Sequence, residues 1–105
     1  RIGRNAVIRN SVVLGNDFYE SPEELAGDVA RGVPPLGIGA GSIIEGGIVD
    51  KNARIGTRAR IVNEHGWLDT ADCPRFIVRD GVAVAPKEAV IPDGWIPEPG
   101  LVKPA

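Results

Sequence analysis

The sequence has no methionine, one cysteine, one histidine and five aromatic side chains among 105 residues. Each scarcity excludes something. Cys73 has no intrachain partner for a disulfide, which points to a reducing compartment. His65 alone cannot build a His-rich metal site. No apolar stretch approaches the ~20 residues of a membrane-spanning helix, and no signal-peptide pattern is present. Lys and Arg are not clustered and the formal net charge is −2, so the chain does not read as a nucleic-acid-binding domain. With so few aromatics, the core must come from Val, Ile, Leu and Ala. The length allows one domain, spanning residues 1–105, that buries roughly 65% of the surface its unfolded chain exposes. The chain opens at Arg1 in mid-pattern and is expected to be a piece of something longer.

What is abundant is Gly (14) and Pro (9), beside many β-branched residues. That mixture favours short strands and frequent turns. The aliphatics recur every six residues, first at Ile2, Ile8 and Leu14, then at Ile38 and Ile44. After a one-residue reset they continue at Val49, Ile55 and Ile61, with a last trace at Ala85 and Ile91. Small or apolar residues follow four later, as at Ala6, Val12, Phe18, Ser42, Ile48, Ala53, Ala59 and Ala89. Neither a helix nor an alternating strand has period six, whereas a β-helix of short strands and tight corners does. Three six-residue sides would close one coil, with Ile2, Ile8, Leu14, Ile38, Ile44, Val49, Ile55, Ile61 and Ile91 pointing inward. Coils stacked at ~4.8 Å align these side chains in columns too narrow for most aromatics. Gly after the aliphatic either relieves crowding or supplies positive φ. Periodicity leaves the handedness open.

Two interruptions break the array. The first, Asn16 to Gly37, holds Ser21-Pro22-Glu23-Glu24. This reads as a helix start, with Ser21 as N-cap, Pro in the first turn and Glu24 completing a capping box. Leu25, Val29 and Ala26 give an apolar stripe, and Gly32 followed by Pro34-Pro35 ends the helix. The second interruption, Asn63 to Arg75, is polar and carries Glu64, His65, Trp67, Asp69, Asp72 and Cys73. Phe76-Ile77-Val78 and Val82-Ala83-Val84 then read as strands around an Asp80-Gly81 turn. The Pro-rich tail from Pro97 to Ala105 is expected to cap the last coil or fray. His65 reads as a hydrogen-bonding loop residue, Cys73 as an inert small side chain, and Trp67 and Trp95 as covers for the core edge.

Val13-Leu14-Gly15-Asn16-Asp17-Phe18-Tyr19-Glu20-Ser21 is similar to the MGxDYYE segment of ADP-glucose pyrophosphorylase (glucose-1-phosphate adenylyltransferase). Ile48-Val49-Asp50-Lys51-Asn52-Ala53-Arg54-Ile55-Gly56 resembles its IIDKNARIG, the most specific of the matches. Ile77 to Val84 is similar to FIxSGIVxV, and Lys87-Glu88-Ala89-Val90-Ile91-Pro92-Asp93-Gly94 to KxAxIPxG. The resemblance covers nearly the whole chain, in order, and is nearest to the plant and cyanobacterial type.

It implies an all-β, left-handed parallel β-helix with a short helical insertion, lying C-terminal to a nucleotidyltransferase domain. The parent would convert ATP and glucose 1-phosphate to ADP-glucose and pyrophosphate, with Mg2+, for glycogen or starch synthesis. No GGxGxR run occurs here, so this segment is expected to hold neither catalysis nor a cofactor. The resemblance further implies that Lys51 and Lys87 bind a phosphorylated effector such as 3-phosphoglycerate. On charge chemistry alone, Arg54 and Arg79 are added as helpers. A homo-oligomer in the cytoplasm, or in the plastid of a plant, is expected. By position alone both lysines read as solvated surface residues. The competing reading is a stand-alone hexapeptide-repeat protein, either an acyltransferase with His65 as its sole candidate base, or a structural module.

Overall fold

The computed structural model describes residues 1–100. Ten short strands form three sheets, and the chain visits them in rotation. The first sheet holds β3 (Gly37–Ile38), β6 (Arg54–Ile55) and β10 (Val90–Ile91), extended by a parallel bridge from Ile2 to Ile38. The second holds β1 (Val7–Arg9), β4 (Ile43–Glu45) and β7 (Arg60–Val62). The third holds β2 (Val12–Val13), β5 (Gly47–Val49) and β9 (Val82–Ala85), with β8 (Ile77–Arg79) on the far side of β9. All pairings are parallel except β8 with β9.

Register is strict. Ile8 pairs with Ile44, 36 positions on, and Ile44 with Ile61, 17 on. The longer step is a plain circuit plus an insertion, so each excursion leaves the chain and returns it to the same column. Ile38, Ile55 and Ile91 stack in one inward column, Ile44 and Ile61 in a second, and Val49 and Ala85 in a third, all buried. Ser42 is also fully buried. Its hydroxyl donates to the Gly56 carbonyl (2.8 Å) and accepts from the Ala59 N–H (3.1 Å), so a polar residue serves at an inward corner without an orphaned group.

The hexad frame needs correction in the third sheet. Val13, not Leu14, pairs with Val49, because the side between the second and third sheets is five residues long in both circuits. Leu14 is therefore displaced from the inward column and is 49% exposed. For the same reason Val12 and Ile48, paired with each other, face outward. Phe18, placed inward by the same frame, is also exposed. Ile2 is 61% exposed and Ile8 only half-buried, since among the described residues no strand covers the leading edge of the first circuit. The expectation of an interior without aromatics also needs amendment. Phe76 is fully buried and lies 5.5 Å, ring centre to ring centre, from the buried Trp95.

The glycines after Ile2, Ile38 and Ile55 serve close approach. A Cβ on Gly39 would run into the Gly56 carbonyl of the next circuit, so a side chain there would push the strands apart.

The first insertion contains α1 (Pro22–Arg31) with the full capping box at Ser21 and Glu24, and Gly32 ends it in the left-handed region at φ 68°. Its buried face is not the apolar stripe. Val29 is 75% exposed, whereas Asp28 is 1% exposed, because the helix meets the frame through charge. The second insertion ends in a two-residue hairpin, Asp80-Gly81, with φ of 51° and 79°. Positive φ at both central positions matches the right-handed strand twist. In the tail, Pro97 is fully buried, and residues 101–105 lie outside the described residues.

Ile55→Ala is expected to cost about 2–5 kcal/mol, as for other fully buried large-to-small changes. Leu14→Ala should cost about 1 kcal/mol or less, being half in water. Urea denaturation of the two variants checks the register. Equal losses would mean that Leu14 does belong to the inward column.

Candidate anion-binding corner

The turn from the third sheet to the first stacks three segments: Gly15-Asn16-Asp17, Asp50-Lys51-Asn52 and Pro86-Lys87-Glu88. Asn52 and Glu88 take the same left-handed backbone there, at φ 60° and 63°. The Asn52 N–H donates to the Gly15 carbonyl (3.2 Å) and the Glu88 N–H to the Lys51 carbonyl (2.9 Å). These bonds place Lys51 and Lys87 on one corner of adjacent circuits.

Asn52 also clamps Asp17. Its side-chain oxygen accepts from the Asp17 N–H (2.9 Å), and its amide donates to Asp17 Oδ2 (3.1 Å). Lys51 Nζ lies 3.5 Å from Asp17 Oδ1, with both side chains about half exposed. The Asn52 hydrogen bond, then the Lys51 charge and more weakly that of Lys87, hold the Asp17 carboxyl below its ordinary value. Among the described residues Lys87 makes no ion pair.

The two arginines go elsewhere. Arg54 Nη1 reaches Glu20 Oε2 (3.3 Å), Asp28 Oδ2 (3.1 Å) and the Pro34 carbonyl (3.1 Å), fastening α1 to β6. Glu20 Oε1 also accepts from the Leu36 N–H at 2.6 Å. Arg79 donates to the carbonyls of Thr70 (2.6 Å) and Val78 (2.9 Å) and pairs with Asp72, pinning the second insertion to its hairpin. Their contacts hold the two insertions in place. His65 Nε2 donates to the Pro97 carbonyl (2.8 Å), and its ring stacks on Trp67.

Between the insertions, over the outer face of the first sheet, runs a groove of about 990 Å³. Val29 and Pro34 form one wall, Pro74 and Arg75 the other, and Lys87 and Val90 lie along it. No repeat or motif marks Arg75: it stands beside a proline in an interruption, and nothing in the chain order brings it to the groove that Lys87 lines.

Asp28's carboxyl is held below its ordinary value of 3.8, first by hydrogen bonding with Glu20, against the opposing effect of burial, and then by Arg54 and Arg31. A lowered carboxyl pKa contributes stability that is full above the unfolded value and is lost as pH falls through the folded one. Melting temperature is therefore expected to hold from pH 7 to about 5 and to fall below about 4. Asp28→Asn should start lower at pH 7 and show a shallower acid decline. An unchanged decline would place the acid-sensitive group elsewhere.

The model for the GLGC left-handed parallel β-helix domain matches residues 1–96. Rotation through three sheets, with parallel pairing and strict register between circuits, agrees with this match, and the chain belongs to this family, the β-helix domain of ADP-glucose pyrophosphorylase.

Proposed function

We propose that this domain is the regulatory and oligomer-forming part of a glucose-1-phosphate adenylyltransferase. In this reading its circuits close into a left-handed β-helix, and its Lys51–Lys87 corner binds a phosphorylated effector. The observation that carries it is the backbone bond between Glu88 and Lys51, which sets two lysines of separate sequence segments side by side. Two ammonium groups suit a phosphate dianion; Lys87 makes no ion pair among the described residues, and the Lys51–Asp17 pair is about half exposed.

Catalysis then belongs to a nucleotidyltransferase domain of the same enzyme, which converts ATP and glucose 1-phosphate to ADP-glucose and pyrophosphate with Mg2+. An effector at the corner acts by binding one arrangement of the two domains better than another. Self-association is supported by the match to the β-helix domain of an oligomer-forming enzyme family.

The test uses the full-length enzyme with Lys51→Ala and Lys87→Ala, titrated with 3-phosphoglycerate, fructose 6-phosphate and orthophosphate. Half-effect concentrations should rise about 5- to 150-fold for the true effector, the usual range of allosteric coupling, with little change in activity without effector. Unchanged values in both variants would make these lysines ordinary surface residues.

A further inference from the structure

We propose that residues 18–35 form a strap that opens as one unit while the three-sheet frame stays folded, and that Arg54 is its latch. Opening carries Val29 and Pro34 away from the groove they wall, whatever binds at the lysine corner.

Three consecutive residues of one circuit hold the strap. Asn52 clamps its start, where its side-chain oxygen accepts from the Asp17 N–H (2.9 Å). The Ala53 carbonyl fixes its end by accepting from the Gly37 N–H (3.0 Å). The two ends thus lie side by side, and the chain between them can swing out without drawing either away. Arg54 holds the middle, through Glu20, Asp28 and the Pro34 carbonyl. Arg1 adds two longer bonds, to the carbonyls of Pro35 (3.4 Å) and Leu36 (3.3 Å). The backbone bonds of the strap are its own: Leu25 to Ser21, Gly32 to Val29 and Val33 to Asp28. Among the described residues none joins it to a strand of the frame. Its apolar cover is slight, with Phe18, Tyr19 and Val29 exposed and only Leu25 and Val33 half-buried.

Few apolar contacts and a separate set of backbone bonds are the marks of a unit that opens locally. Charge then decides when it opens. Residues 18–35 carry Glu20, Glu23, Glu24 and Asp28 against Arg31 alone. Glu20 and Asp28 are nearly buried, with side-chain exposures of 5% and 2%. The cations near them are Arg54, Arg31 on Asp28, and Arg1 beside Glu20. Without Arg54 the two carboxylates would stand in a place that holds little water. Turning the helix outward returns them to solvent and breaks only the strap's few contacts, whereas unfolding the frame would break the whole ladder. Protonating Asp28 has a related effect, because it removes the attraction that keeps the strap down.

Hydrogen–deuterium exchange of the full-length protein, read peptide by peptide in a mass spectrometer, tests this. In Arg54→Met, peptides from 18–35 should exchange about tenfold faster than in wild type, while those covering β4, β5 and β9 stay within about twofold. Wild type supplies a second arm that needs no variant. Between pH 7 and about 4, with rates corrected for the intrinsic effect of pH, the strap should lose its protection while the frame strands keep theirs. Should Arg54→Met fail to fold, the acid series decides alone. Strap and frame losing protection together would show one cooperative core. A strap that keeps its protection in both arms would show that other contacts hold it. Either result overturns the proposal and leaves the effector reading untouched.

Discussion

Everything in this domain hangs on the stacking of one circuit on the next at the distance of a parallel backbone ladder. That spacing leaves no freedom along the stack: an inward residue must be followed by another inward residue above and below. Ile38, Ile55 and Ile91 satisfy this with one side chain repeated, and Gly39 over Gly56 satisfies it with none at all. Corners obey the same rule, with left-handed residues recurring at Asn5, Gly41, Arg58 and Gly94 along one edge. Left-handed backbone costs a non-glycine residue roughly 1 kcal/mol, and Arg58 shows that the ladder outweighs this preference.

Because the frame is set by register, chain can be inserted between circuits without disturbing it. Both insertions start at corners, and each is tied down by an arginine of a frame strand or its hairpin. Arg54 ties α1, and Arg79 the second loop. The groove is the space between two excursions held this way. Its walls are insertion residues and its floor is the first sheet, so its shape depends on the Arg54 cluster more than on any contact within the groove itself. Glu20 and Asp28 are nearly buried, with side-chain exposures of 5% and 2%. Removing the cation between them would strand two carboxylates, the costly way to break a buried pair.

The repeat, the helix and the hairpin were legible because their causes are local. A hexad of aliphatics, a Ser-Pro-Glu-Glu start and an Asp-Gly turn each act within a few residues. The register slip at Leu14 was not legible. Val13 and Leu14 are both aliphatic, and only pairing with Val49 decides which one turns inward. The stripe of α1 misled for a related reason. A helix lying on a small frame has little apolar surface to cover, and an ion cluster takes that role at Asp28. Lys51 and Lys87 came from recognisable motifs, whereas Arg75 sits in a segment whose position is fixed by Arg79, Thr70 and the hairpin. The sites most dependent on tertiary placement were the ones that pattern could not supply.

The same geometry separates two kinds of cation. Arg54 binds two buried carboxylates and a carbonyl through one nitrogen, so its charge is already compensated and its loss would be felt by the fold. The Lys51–Asp17 pair is about half exposed, and such pairs contribute about 0–1 kcal/mol. Lys87 has no acidic partner among the described residues. A charge that contributes little to stability is free to be redirected when an anion arrives, since nothing need be broken first. The ladder and the Arg54 cluster keep the groove's walls in place whether or not it is filled, so binding there costs little reorganisation. The groove's response to a ligand is thereby separated from the stability of the frame that holds it.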